Sequence, residues 1–164
     1  MKKILTMAEK LFLRIAALFF LIFTACVIMQ VASRYIPGFR VVWAEELATY
    51  AFIWMVFIGA AVMVREKGHF TVGLVVDNVK GLPLLIIQSI THLLIIVFGL
   101  VMIIDGLGLT SQFWGWTLNN LPGIRQGYAW LAIPIAGLSM MLFALQNFWE
   151  DFHRYKQSRE ADIK

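Results

Sequence analysis

The sequence predicts an all-α integral membrane protein with four transmembrane helices, and three observations support this fold class. The 164-residue chain is 60% hydrophobic and only 15% charged, with a mean hydropathy of +0.78, whereas soluble domains have roughly 45–50% apolar and about 25% charged residues. Four stretches reach the roughly 20 mostly apolar residues that cross about 30 Å of hydrocarbon. The charged residues cluster between these stretches, as they do in multi-span membrane proteins.

The four spans use most of the chain, so we expect residues 1–164 to form a single membrane domain with no separate soluble part. We place the spans at about residues 11–33, 43–64, 84–106 and 127–149. The third is expected to continue as a helix towards Trp114.

The first span could be mistaken for a cleaved signal, even a lipoprotein signal that ends at Cys26. Its apolar run continues to Ala32, and no small-x-small cleavage site follows a short core. We therefore expect it to be retained as a membrane helix. Cys26 is the single cysteine of the sequence, which excludes an internal disulfide or a dithiol redox relay.

The basic residues predict that both termini are cytoplasmic. Lys and Arg accumulate on the cytoplasmic side of membrane proteins, and here eleven flank one side of the spans against three on the other. The three are Arg34, Arg40 and Arg125. The net charge of +4 is therefore a topology signal, and we do not interpret it as affinity for nucleic acid. Membrane lipid is the expected surrounding partner.

Adjacent glutamates, Glu45 and Glu46, open the second span. A helix N-terminus favours negative charge through its dipole and its unpaired N–H groups. We favour this structural interpretation, with Arg34 or Arg40 as the ionic partner, over a role in ion handling.

The two longer connections differ in character. The cytoplasmic one has valines at helical spacing between residues 72 and 79, which indicates a short helix in the membrane interface, followed by Pro83 in the first turn of span three. The other contains Trp114 and Trp116, which are either ordinary belt residues or contacts for a partner outside the membrane. The C-terminal segment EDFHRYKQSREADIK is expected to be solvated.

His92 is the ionisable residue that lies deepest in a span. Intramembrane titratable groups suggest function, here a proton relay, but we favour a neutral histidine hydrogen-bonded to a neighbouring helix because the sequence offers no intramembrane titratable partner. Asp105, near the outer end of the same span, could reach Arg125 or water.

The sequence lacks the residues that several enzyme classes require. The sequence has no HExxH, Walker, GxSxG or metal-spaced cluster, and its other two histidines, His69 and His153, flank the spans instead of facing each other as haem ligands would. We therefore expect no enzyme activity, no cofactor and no metal.

The helix faces suggest packing against further membrane protein. Small residues at helix interfaces allow close approach in lipid. Span two has an aromatic face of Glu46, Tyr50, Trp54 and Phe57 and a smooth face of Ala44, Ala48 and Ala51, while span four has Ala132 and Ala136.

These residues form a familiar pattern. The stretch from Trp43 to Val72 resembles the small membrane subunit (Q-type, DctQ/SiaQ-like) of tripartite ATP-independent periplasmic (TRAP) transporters. The residues that carry the resemblance are Trp43, Glu45, Glu46, Tyr50, Trp54, Gly59, Arg65 and His69–Val72.

The resemblance implies a noncatalytic subunit that packs as a scaffold beside a large multi-span membrane subunit and helps to dock a periplasmic substrate-binding protein. It implies sodium-coupled uptake of an organic acid, such as a C4-dicarboxylate or sialic acid. The residues expected to contact partners or to hold the structure are Trp43, Glu45, Glu46, Tyr50, Trp54, Arg65, His69, Trp114 and Trp116.

Two alternatives stay open at this point. The first is a self-sufficient homo-oligomeric transporter or channel that uses His92 and Asp105. The second is an assembly factor for some other membrane complex, which would share every packing feature.

Overall fold

A computed structural model describes residues 2–66 and 81–161 of the chain. In these ranges the helices are α1 (Lys2–Tyr35), α2 (Trp43–Arg65), α3 (Leu82–Gln112), α4 (Gly127–Trp130) and α5 (Ala132–Ala161). Four helical stretches, with α4 and α5 counted as one, are long and apolar enough to cross a membrane. The all-α, four-span fold class is confirmed. His69 and the predicted interfacial helix lie outside the described residues.

Local chemistry explains where the helices begin. Pro83 lies in the first turn of α3, as expected, where its missing N–H costs no hydrogen bond. Before α2, the chain turns at Gly38, whose φ of +86° suits a residue without Cβ. Glu45 and Glu46 occupy the first turn of α2, which has no side-chain N-cap, so these carboxylates are the negative charge nearest to its free N–H groups.

The long helices form two antiparallel pairs that join through α2 and α5. Helix α1 packs against α2, α3 packs against α5, and α2 contacts α5 between the pairs. The end that carries the α1–α2 turn and the α3–α4 connection is called the loop end, and the other is called the terminal end. The main core lies where α2, α3 and α5 meet, and it comprises Ala61, Val64, Ile95, Met102, Ala136, Met140, Phe143 and Ala144.

Small residues let the helices of each pair touch. A Cβ on Gly99 of α3 would lie 2.8 Å from the carbonyl oxygen of Gly137 on α5, and the reverse distance is the same. Between α1 and α2, Ala44 and Ala48 pack against Cys26. The expectation that the alanine faces serve a foreign chain is wrong, because Ala44, Ala48, Ala51, Ala132 and Ala136 are all buried within this bundle.

The C-terminal segment differs from its expected solvated state at Asp151, whereas residues 152–154, 156 and 157 are exposed as expected. Helix α5 continues through Ala161, and Asp151 is only 4% exposed. The reason is periodicity, because the buried face of α5 that includes Met140 and Phe143 continues along the helix to Asn147 and Asp151.

Candidate functional site

The α3–α4 connection forms a small hairpin at the loop end. The Leu118 N–H donates to the Ile124 carbonyl at 3.0 Å, and the Gln126 N–H donates to the Trp116 carbonyl at 2.8 Å. Residues 116–126 are called the hairpin below. Its tip, around Asn119 and Asn120, lies over the start of α2.

Glu46 holds the tip of this hairpin. The backbone N–H groups of Asn119 and Asn120 donate to its two carboxylate oxygens, Oε1 and Oε2, at 3.0 and 2.8 Å. Hydrogen bonds to an ionised acceptor are roughly twice as strong as neutral ones. One side chain therefore satisfies two successive donors of a turn that has few other partners.

The expectation that an arginine pairs with Glu46 is wrong. Arg34 and Arg40 are exposed, and the described part of the chain contains no ion pair between either of them and Glu46. The two backbone amides satisfy the same carboxylate at shorter range. Glu45 is exposed one residue earlier, beside Thr49, so the two adjacent glutamates have different surroundings.

Tyr50 and Trp54 extend the same contact along α2. The Gln126 amide donates to the Tyr50 hydroxyl at 3.1 Å, and the Trp54 indole N–H donates to the Tyr128 carbonyl at 3.1 Å. Residues four apart on a helix share one face, so Glu46, Tyr50 and Trp54 form a ladder of polar contacts. These three residues of the predicted face bind the chain's own hairpin and Tyr128 just beyond it, whereas the fourth, Phe57, packs against the main core.

The other side of Trp54 faces α1. Its ring stacks on Phe19, with centroids 5.5 Å apart and an interplanar angle of 19°. Between α1, α2 and the hairpin lies an apolar groove of about 410 Å³, with Leu47 and Leu118 in its lining. This groove offers no catalytic group and is open at the bundle surface.

The two predicted tryptophans of the connection have different roles. Trp114 covers Gly127, where a Cβ would lie 2.6 Å from the indole. Its ring also packs edge-on against Tyr128 at 5.2 Å and lies under the Arg125 guanidinium at 6.0 Å. Trp116 is 63% exposed. Trp114 thus holds the base of the hairpin, and Trp116 projects from it. Trp43, at the start of α2, is exposed as well.

Arg65 organises the terminal end of α2. Its guanidinium donates to Asn147 Oδ1 at 3.1 Å and lies 3.5 Å from Glu9 and 3.8 Å from Glu150. Asn147 in turn donates to the Val64 carbonyl at 2.8 Å. These contacts join α1, α2 and α5, so Arg65 acts as a structural tie within this chain.

His92 has the titratable partner that the sequence analysis did not find. Its Nε2 lies 3.0 Å from Asp151 Oδ2, with both residues buried at the α3–α5 contact. An ionised carboxylate only accepts, so Nε2 donates. Nδ1 is buried without a partner in the described part of the chain.

Asp105 lies on another face of α3. It is exposed, and within residues 2–66 and 81–161 it makes no side-chain hydrogen bond or ion pair, with Arg125 or otherwise. The 13 residues from His92 to Asp105 turn the helix so that the two side chains point about 140° apart. A single channel lined by both His92 and Asp105 is therefore disfavoured. In the described residues, no group of three or more His, Cys, Asp or Glu could hold a metal ion.

Sequence reasoning missed the partners that complete these contacts. They are Asn119, Asn120, Gln126, Asn147 and Asp151. For Asn147 and Asp151 a signal existed, since they continue the helical spacing of Met140 and Phe143. For Asn119 and Asn120 none existed, because they bond through backbone N–H groups, which are the same in every sequence.

We expect Glu46→Gln to loosen the hairpin. An amide offers one acceptor oxygen where the carboxylate offers two, so one of the two exposed N–H groups exchanges its bond for one to water, at a net cost of about 0.5–1.5 kcal/mol. Hydrogen exchange of the Asn119 and Asn120 amides should accelerate in the purified chain. Glu45→Gln removes the same charge one residue away and should leave these rates unchanged. Equal rates in both variants would contradict the assignment.

We expect His92→Leu to destabilise the bundle by about 1–3 kcal/mol, because it leaves the buried Asp151 carboxylate without its His92 bond. His92→Leu/Asp151→Leu should be less damaging than the sum of the two single changes, since neighbouring groups couple. Thermal unfolding in detergent measures this. His153→Leu, an exposed histidine at the same end, is the control and should change little. Additive effects would contradict the coupling.

The comparisons with known proteins agree with this architecture. The family model described as "Tripartite ATP-independent periplasmic transporters, DctQ component" matches residues 23–154. A protein of Haemophilus influenzae that carries the provisional name TRAP transporter small permease protein is 30% identical over 115 residues, which cover 68% of this chain and 69% of that protein. The chain therefore belongs to the DctQ family, the small membrane component of TRAP transporters, and is a multi-pass inner-membrane transporter component and not an enzyme.

Proposed function

We propose that this chain acts as a noncatalytic small permease subunit, which packs as a scaffold beside the large membrane subunit and helps to dock the periplasmic substrate-binding protein. The observation that carries this proposal is how the polar side chains are used. Glu46, Arg65 and the His92–Asp151 pair hold helices or the hairpin together. Such contacts supply rigidity, and they engage these polar groups with partners inside the chain.

The hairpin is proposed as the docking surface. Four contacts hold it, from Glu46 to the Asn119 and Asn120 amides, from Gln126 to Tyr50 and from Trp54 to the Tyr128 carbonyl that follows it. Trp116 nevertheless remains exposed. Exposed tryptophans on a rigid support are typical of binding hot spots, and a surface that is already ordered loses little entropy on binding.

The charge pattern supports an orientation in which this hairpin is periplasmic. Eleven Lys and Arg flank the terminal side of the spans and three flank the loop side. By the positive-inside rule both termini are then cytoplasmic.

We further propose that the complex takes up an organic acid of the C4-dicarboxylate or sialic acid class together with sodium. The resemblance carried by residues from Trp43 to Val72 supports this class. The substrate and sodium sites would lie on other chains, which agrees with the internal use of the titratable groups described above.

The chain alone is expected to transport nothing. Proteoliposomes with this chain only should take up succinate and sialic acid no faster than empty liposomes under a sodium gradient. Liposomes that also hold the large subunit, with the binding protein outside, should take up one of them. Robust flux through the chain alone would contradict the proposal and favour the self-sufficient transporter.

Trp116→Ala is expected to weaken docking of the binding protein by roughly tenfold in Kd, the effect of losing one hot-spot aromatic. Binding to the membrane complex in nanodiscs measures it. Trp149→Ala is the matched control, because Trp149 is also 63% exposed but lies on α5 near the terminal end. Equal affinities for wild type and Trp116→Ala would show that the hairpin does not contact the binding protein.

A further inference from the structure

The groove between α1, α2 and the hairpin has the size and lining of a ligand site. Its volume is about 410 Å³, and ligand pockets in proteins are mostly apolar clefts of roughly 300–1,000 Å³. Ile22 of α1, Leu47 of α2 and Leu118 of the hairpin lie in its lining. The α2 wall runs from Leu47 to Trp54, which is about 10 Å at 1.5 Å per residue. No side chain of the described ranges fills this space.

Arg125 is the charged residue of this lining. It is exposed, and within residues 2–66 and 81–161 it makes no ion pair. Its guanidinium lies 6.0 Å from the centre of the Trp114 ring, and such a cation–π contact does not use the N–H groups as hydrogen-bond donors. The groove therefore offers a cation whose donors are available to an anion from outside the chain.

The apolar lining extends further into the span than Arg125. Gln126, the next residue of the hairpin, donates to Tyr50. Trp54 lies one helical turn beyond Tyr50, away from the loop end. The stacked rings of Phe19 and Trp54 line this part of the groove. The groove thus combines a cationic position with an apolar part that lies deeper in the bundle.

The residues around Arg125 place it at the level of the lipid headgroups. Trp114 and Tyr128 pack edge-on beside it, with ring centroids 5.2 Å apart, and tryptophan and tyrosine are enriched at this level of a bilayer. An occupant that matches both parts of the groove has an anionic group near Arg125 and an apolar tail that reaches towards Trp54. A glycerophospholipid has this structure, and the membrane around the bundle supplies it.

The volume of the groove argues against a helix of a partner protein as the occupant. One turn of an α-helix, about 10 Å across and 5.4 Å long, occupies roughly 420 Å³, which is the whole volume of the groove. A membrane-spanning helix of roughly 20 residues has between five and six such turns. A partner helix could lie over the groove but could not enter it, whereas a single acyl chain is much thinner than a helix.

We propose that this groove binds one glycerophospholipid, with the lipid phosphate on the Arg125 guanidinium and one acyl chain between α1, α2 and the hairpin. Contacts of arginine with phosphate are often bidentate, which fixes the headgroup. The lipid touches both helices and the hairpin, so it stabilises the support of the surface that carries Trp116. This inference does not depend on the proposed function, because it concerns a contact with the membrane and not with another subunit.

Photo-labelling tests the location of the lipid. The purified full chain in detergent is irradiated with a small amount of phosphatidylglycerol that carries a photoreactive group in one acyl chain, and the labelled residues are identified by mass spectrometry. We expect groove residues to be labelled about tenfold more than Val97 and Phe98, which are exposed on α3 and contact any surrounding lipid or detergent. Equal labelling of the two surfaces would overturn the inference.

Arg125→Gln tests the charge. It should lower the labelling of the groove about tenfold, the loss expected for one charge-assisted contact, and leave the labelling of α3 unchanged. Arg40→Gln is the matched control, because Arg40 is also an exposed arginine at the loop end but does not line the groove. Without lipid, both variants should unfold at the wild-type temperature. Groove labelling that Arg125→Gln does not change would overturn the assignment of the phosphate.

Native mass spectrometry separates the headgroup from the tail. The wild-type chain should bind dioleoyl phosphatidylglycerol about tenfold more tightly than dioleoylglycerol, which lacks the phosphate, and Arg125→Gln should bind the two alike. Glycerol 3-phosphate, which lacks acyl chains, should not displace the lipid. Equal wild-type affinities for the two lipids, or displacement by glycerol 3-phosphate, would overturn the inference.

The assembled transporter distinguishes a lipid from the large subunit as the occupant. With the large subunit bound, the photoreactive phosphatidylglycerol should still label the groove. Loss of this labelling when the complex forms would show that the large subunit covers the groove. That result would overturn the inference and leave the proposed function standing.

Discussion

Charged and amide side chains fix α2 at both ends, and the remaining structure is arranged around that helix. In a bilayer, helices gain little from hydrophobic burial against each other, because lipid tails are as apolar as leucine. Association then depends on close packing and on polar contacts. Glu46 supplies such contacts to the hairpin at one end of α2, and Arg65 supplies them to α1 and α5 at the other.

This use of charge separates structural from functional groups. A buried carboxylate or imidazole in a membrane protein first suggests ion or proton movement. Here the His92–Asp151 pair lies within the α3–α5 contact, and Arg65 lies where three helices meet. Each contact restrains helices of this chain against one another, which agrees with the scaffold role proposed above. Asp105 differs from these groups because it faces away from the bundle.

Hydropathy and charge alone predicted the four spans, and the spacing of Glu46, Tyr50 and Trp54 predicted one shared face of α2. What this face touches was not predictable. Its partners lie more than 70 residues away, and three of the four are backbone groups without any sequence signature. The alanine faces show the same limit. Their small side chains predicted close contacts between helices, but only the packing showed that these contacts lie within this chain.

The sequence by itself therefore determined the membrane class, the number of spans and the position of Pro83 in the first turn of α3, because these depend on local composition and backbone chemistry. The pattern between Trp43 and Val72 also predicted the family. The tertiary structure decided which groups pair, that Asp151 is buried and that Asp105 faces away from the bundle. Those outcomes depend on how distant helices are rotated against each other, and no local pattern encodes that rotation.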